Sequence, residues 1–125
     1  MASRGNAEGA IPRAALDDWL FVAYKLQVIS IKRTDEFSSW LKNLRDLRAR
    51  AKIIARIDRL ALGNPGDAAP VGNGISEMRI HFGPGYRVYF VRRGEEIAIL
   101  LCGGDKSTQT ADIAKAAQLA SEWKD

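Results

Sequence analysis

Three cations carry the chemistry that this sequence could support. Arg79 lies in "ISEMRIHF" (75–82), Arg87 in "YRVYFV" (86–91) and Lys106 in "CGGDKST" (102–108). Strand alternation puts Met78, Ile80 and Phe82 on one face of the first segment, and Glu77, Arg79 and His81 on the other. In the second, Tyr86, Val88 and Phe90 oppose Arg87, Tyr89 and Val91. The apolar set must face the core, so Arg79, His81, Arg87 and Tyr89 are expected together on an uncovered face. Guanidinium groups bind phosphate oxygens bidentately, and a flat aromatic ring can stack a base. The patch therefore suits phosphodiester recognition. The competing reading is an ordinary polar sheet surface, with His81 solvated and Tyr89 packing across the strands.

A second basic feature lies on a predicted helix near 47–62. Arg48, Lys52, Arg56 and Arg59 recur at spacings of four, four and three, opposite Ile53, Ile54, Ile57, Leu60 and Ala61. This stripe is a candidate RNA-binding face. In "CGGDKST", two glycines and Lys106 could bring backbone N–H groups and a charge to an anion, or could simply turn a strand into a helix. The segment is not a P-loop, because residue 105 is Asp and the earlier glycine of that motif would fall on Leu100. No Ser-His-Asp arrangement is present. With one histidine and one cysteine in the chain, no metal cluster can be assembled from them. Cys102, at the end of an apolar strand, reads as a small buried hydrophobe in a protein of a reducing compartment.

Positioning these groups requires a definite order of elements. "LQVISIKR" (26–33) alternates as a strand. Thr34 offers an N-cap, with Asp35 and Glu36 in the first turn and Phe37, Trp40, Leu41 and Leu44 on one helical face. The second helix ends at Gly63 and Pro65. Residues 66–74 read as a loop. Three strands follow (75–82, 86–91 and 96–102), joined by Gly83-Pro84-Gly85 and by the turn around Arg93-Gly94-Glu95. A final helix runs from about Thr110 to Trp123. The expected class is α+β, in the order β-α-α-β-β-β-α, with a small antiparallel-dominated sheet and the helices on one face.

The 125 residues suffice for one domain with a single modest core. Residues 1–24 read as a leader, flexible or partly helical, and 25–125 as the folded domain. The net charge of +4 is concentrated between Lys32 and Arg59, which hold nine basic and four acidic residues. Such a field favours polyanions or acidic protein partners. "WLFVAYKLQVISI" (19–31) is too short to span a bilayer and is interrupted by Lys25 and Gln27. No signal-peptide pattern stands out, so a cytoplasmic location without membrane attachment is expected.

"RIDRLALGNPGD", "SEMRIHFGPGYRVYF" and "LLCGGDKSTQTADIAKA" resemble the RelE/ParE superfamily of toxins from type II toxin–antitoxin modules. The similarity is greatest to the HigB-like, phage Gp49-like branch of addiction module killer proteins, and it runs from about Lys25 to the C-terminus. The resemblance implies a RelE-like, microbial RNase-like fold. It further implies a ribosome-dependent mRNA endoribonuclease (an mRNA interferase) that inhibits translation and needs no metal or other cofactor. The 2′-hydroxyl would attack the adjacent phosphate while the toxin stabilises the developing charge. Implied partners are mRNA on the ribosome and a helix-turn-helix antitoxin, through which operator DNA is met only indirectly. By position, Arg87 and Lys106 match catalytic basic residues of RelE. Arg79 lies on the strand that supplies catalytic lysines there, and His81 is a candidate for proton transfer. Asp112 stands where RelE carries a tyrosine. The alternative within the superfamily is a ParE-like poison of DNA gyrase with no chemistry of its own.

Overall fold

The structure, a computed structural model, describes residues 28–124. The predicted leader 1–24 and the first two residues of the predicted first strand lie outside them. The elements are β1 (Ser30–Arg33), α1 (Asp35–Asn43), α2 (Leu47–Ala61), β2 (Ala68–Gly72), β3 (Ile75–Ile80), β4 (Tyr86–Arg93) and β5 (Ile97–Asp105), followed by a 3-10 turn (Lys106–Thr108) and α3 (Gln109–Glu122). One five-stranded sheet is ordered β1-β5-β4-β3-β2. Among the described residues the β1–β5 pair is the parallel one, and its two strands are linked through both helices and the three intervening strands, not by a tight turn.

Local chemistry sets the helix ends. Thr34 Oγ1 accepts a hydrogen bond from Phe37 N at 2.9 Å and donates to the Leu101 carbonyl at 2.6 Å, so one hydroxyl both caps α1 and ties it to β5. Asp46 caps α2 by accepting from Arg48 N at 2.9 Å and Ala49 N at 3.2 Å. Such caps contribute about 1 kcal/mol each. At the far end of α2, Gly63 takes φ 85°, where its N–H bonds the Leu60 carbonyl and the next residue's N–H bonds that of Arg59.

Phe37 and Leu41 of α1 and Ile53, Ile57 and Leu60 of α2 pack on Met78, Ile80, Val88, Phe90 and Leu100 of one sheet face. Met78, Ile80, Val88 and Phe90 are strand residues that alternation assigns to the core. Ile54 departs from expectation: it is 45% exposed, because it lies about a third of a turn round the helix from Ile53.

Two expectations about the sheet are corrected. The helices do not share one face. α3 covers the other, where Ala116, Ile113, Ala117 and Trp123 pack on Ile75, Tyr89, Val91, Ile99 and Leu101. The cause is visible in "IAILLC", an unbroken apolar run of the kind found in strands covered on both sides. A bulge adds to it: Tyr89 is opposite Cys102 and Phe90 opposite Leu100, so Leu101 is extra and both it and Cys102 enter this second core. The supposed loop 66–74 also contains an edge strand, β2, giving the order β-α-α-β-β-β-β-α. Asn73 and Gly74, at φ 55° and 76°, form the two-residue turn into β3. Pro70 is tolerated because β2 has only one neighbour. Among the described residues, no helix is long and apolar enough to cross a membrane.

Candidate active site

The predicted residues Arg79 and Arg87 are directly opposite one another in the β3–β4 ladder. Like charges so placed repel, and a sheet tolerates them only with a counter-charge. Glu77 supplies it. This carboxylate is 1% exposed and stands across from Tyr89 in the same ladder. Its Oε2 accepts from Arg79 Nε at 3.0 Å, and its Oε1 lies 3.4 Å from Arg87 Nε. Oε1 also accepts from Tyr89 OH at 3.2 Å and from Gln109 Nε2, in the first turn of α3, at 2.7 Å. One buried anion thus fixes two guanidiniums, a phenol and a helix terminus.

The two arginines differ in access. The Arg79 side chain is 35% exposed and that of Arg87 only 11%. The expectation that Arg87 stands on an uncovered face is therefore corrected. α3 crosses that face, and its first turn closes over the Glu77 end of the sheet. Arg87 Nε is buried without a hydrogen-bond partner. Tyr89 is corrected more fully. It is completely buried beneath α3, so its ring cannot stack a base, and burial pushes its phenol well above the ordinary range, with Glu77 adding to the shift. At neutral pH it is a hydrogen-bond donor, not a base.

His81, by contrast, is 74% exposed. Its Nε2 contacts Asp67 Oδ2, and Asp67 Oδ1 lies 3.3 Å from Arg79 NH1. The hydrogen bond from His81, aided by the Arg79 charge, holds the Asp67 carboxyl below its usual range. The bond to Glu77, with Asp67 nearby, raises the Arg79 guanidinium above its ordinary value. A continuous polar chain therefore runs His81, Asp67, Arg79, Glu77, Arg87 along one end of the sheet.

Lys106 is exposed in the 3-10 turn, two residues beyond Gly104, the ladder partner of Arg87. It stands beside Gly85 of the Gly-Pro-Gly turn. The paired glycines before it serve packing. A Cβ at Gly103 would stand 2.5 Å from Trp40 Cδ2, and one at Gly104 would stand 2.8 Å from both Asp112 Cγ and Thr108 Oγ1. Asp105 caps the turn, its carboxylate accepting from Ser107 Oγ at 2.5 Å and from Ser107 N at 2.8 Å, bonds that lower its pKa. Asp112 lies in the first turn of α3, over the glycine opposite Arg87, and accepts from Thr108 Oγ1.

The basic stripe of α2 divides. Arg48, Lys52 and Arg59 are exposed, the first two with their charges 5.8 and 5.1 Å from the Phe82 ring centroid. Arg56 is half-buried and donates to the carbonyls of Arg79, Pro65 and Asp67. Burial lowers its pKa, and its role is to pin the loop carrying Asp67 against β3. As an RNA contact it is corrected: both terminal nitrogens donate to backbone carbonyls and its Nε is buried. Sequence reasoning missed Glu77, Asp67 and Gln109. Glu77 could have been found, since it shares a strand face with Arg79; Asp67 and Gln109 reach the cluster only through the tertiary fold. Cys102 is buried, and desolvation pushes its thiol up to about 12. Among the described residues, no three or more His, Cys, Asp or Glu side chains are grouped as metal ligands.

The family described as Phage derived protein Gp49-like matches residues 39–122, a span that holds every group of this cluster. A protein of Haemophilus influenzae (strain ATCC 51907 / DSM 11121 / KW20 / Rd), described as an uncharacterized protein, is 56% identical over 94 residues, or 75% of this chain and 95% of its own length. The chain belongs to the Gp49-like family.

Proposed function

We propose that this protein is the toxin of a type II toxin–antitoxin module and that it cuts messenger RNA on the ribosome without a metal ion. Membership of the Gp49-like family supports the toxin role. The observation that carries the nucleolytic part is the Arg79–Glu77–Arg87 arrangement, two guanidiniums held across a strand pair by one carboxylate. Cations fixed in advance stabilise a developing phosphorane without reorganising during the reaction. Lys106, exposed at the strand end, adds a mobile charge that an RNA backbone can reach. The reaction is an internal transesterification: O2′ loses its proton and bonds to phosphorus, and the P–O5′ bond breaks with its electron pair on O5′. The products are a 2′,3′-cyclic phosphate and a 5′-hydroxyl end. A cognate antitoxin of helix-turn-helix type neutralises the toxin and is its route to operator DNA.

Expression without antitoxin tests this reading. Messenger-RNA ends mapped after induction should fall in phase with codons, and Arg87→Ala should abolish them. Intact RNA with double-strand DNA breaks and altered plasmid supercoiling would overturn it in favour of a ParE-like gyrase poison. One observation favours that second reading: the Arg87 side chain is only 11% exposed and lies against an anion, as in a structural pair.

A further inference from the structure

We infer that Asp67 positions His81 as the base that takes the 2′-hydroxyl proton, through Nδ1. The inference rests on the endoribonuclease reading. Asp67 is held below the ordinary carboxylate range, so at neutral pH it is ionised and can only accept. The ring nitrogen facing it, His81 Nε2, must therefore be the donor. In a neutral imidazole this leaves the lone pair on Nδ1, turned away from Asp67.

The backbone that carries Asp67 is itself fixed. Its carbonyl accepts from Arg79 N at 2.9 Å and from Arg56 NH2 at 3.2 Å. The preceding residue, Gly66, has φ 71°, and a Cβ there would stand 3.0 Å from the Arg56 guanidinium. Arg56 thus folds "GNPGD" onto the sheet end, and the Asp67 carboxylate meets both His81 and Arg79 from one anchored point. An isolated surface pair between mobile side chains would have none of this support. His81 follows directly on the end of β3, and its ring and the Arg79 guanidinium contact the two oxygens of the same Asp67 carboxylate, which places it at the edge of the arginine cluster. At 74% exposure it is open to a large polyanionic substrate.

The proton balance is complete. The 2′-hydroxyl proton passes to Nδ1 as O2′ bonds to phosphorus, and O5′ leaves with its electron pair and takes a proton from water. The imidazolium returns its proton to solvent. Asp67 touches no reacting atom and acts only through the ring.

The test uses the full chain acting on mRNA in programmed ribosomes, with wild type, His81→Gln, Asp67→Asn and the double variant compared. His81→Gln should lower kcat by about a hundredfold or more. Asp67→Asn should lower kcat about tenfold and leave KM unchanged. The double variant should be no slower than His81→Gln alone. An mRNA with sulfur in place of the 5′-bridging oxygen needs no acid to expel its leaving group, so His81→Gln should remain as slow on it. Full activity of His81→Gln, losses that multiply in the double variant, or rescue by the sulfur substrate would each overturn the inference while wild-type cleavage upheld the enzyme. A folded wild type that cleaves neither substrate would overturn the endoribonuclease reading, and this inference with it.

Discussion

Glu77 Oε1 lies 3.4 Å from Arg87 Nε, at the point where a second arginine, Arg79, stands directly across the ladder. The proximity explains how a small sheet keeps two guanidiniums side by side, one of them nearly enclosed. The anion between them sets their spacing, and α3 shields the anion.

Replacing Glu77 by Ala should therefore be among the most damaging single changes in the protein. It leaves Arg87 beside Arg79 without a counter-charge, and deprives Tyr89 OH and Gln109 Nε2 of their acceptor. Removing one member of a buried ion pair costs about 3–5 kcal/mol, equivalent to a fall in Tm of roughly 10 °C or more for a domain of this size. Thermal melts monitored by circular dichroism would measure it. A drop of a degree or two would mean that Glu77 does not hold the cluster together.

The paired glycines predict an asymmetry. At Gly103 a methyl group meets the Trp40 ring, which is itself packed against Phe37 and Tyr86 with centroids 5.7 and 6.3 Å away. At Gly104 it meets the end of the Asp112 side chain, which can swing aside. Gly103→Ala should cost about 1–3 kcal/mol, as overpacking does. Gly104→Ala should cost less and should detach Asp112 from Thr108. Urea denaturation of both variants compares them, and equal stability of Gly103→Ala and wild type would contradict the packing role.

Cys102 is buried, with its thiol pushed up to about 12. Because the thiolate is the reactive form, the native protein should not react with Ellman's reagent at pH 8 over minutes and should release one equivalent in denaturant. Rapid native labelling would show that this strand end is open.

Asp67 predicts a pH effect of definite sign. Its folded-state pKa is depressed, chiefly by the His81 hydrogen bond, so the unfolded chain takes up a proton first as the pH falls. Its contribution to stability is present above the ordinary carboxylate range and is lost as the pH drops below about 4 toward the folded value. Asp67→Asn should flatten the fall in Tm as the pH drops below the ordinary carboxylate range, about 4. An identical acid limb in the variant would mean that the His81 contact is absent in solution.

Much of this fold was legible because it depends on local rules. The Thr34 cap, the Gly63 stop, the core face of β3 and β4 and the basic side of α2 all follow from spacing along one element. The adjacency of Arg79 and Arg87 also follows, from two strands and a short turn. What could not be read was what covers the second sheet face. Strand alternation gives two faces but not their partners, so Arg87 and Tyr89 were expected in the open. The continuous apolar run from Ile97 to Cys102 carried the missing information, as did Asn73-Gly74 for the β2–β3 hairpin. Asp67 and Gln109 reach the site from distant parts of the chain, 12 and 30 residues from Arg79, and no periodicity connects them to it.

The central claim is that the Arg79–Arg87 pair stabilises charge on a scissile phosphate, and one rate comparison tests it most directly. Cleavage of ribosome-bound mRNA by purified wild type and Arg87→Ala should be followed at equal concentrations, with thermal melts showing that both are folded. Wild type should leave 5′-hydroxyl and cyclic-phosphate ends, and Arg87→Ala should be slower by roughly a hundredfold to a thousandfold. Cleavage by Arg87→Ala at the wild-type rate would contradict the claim.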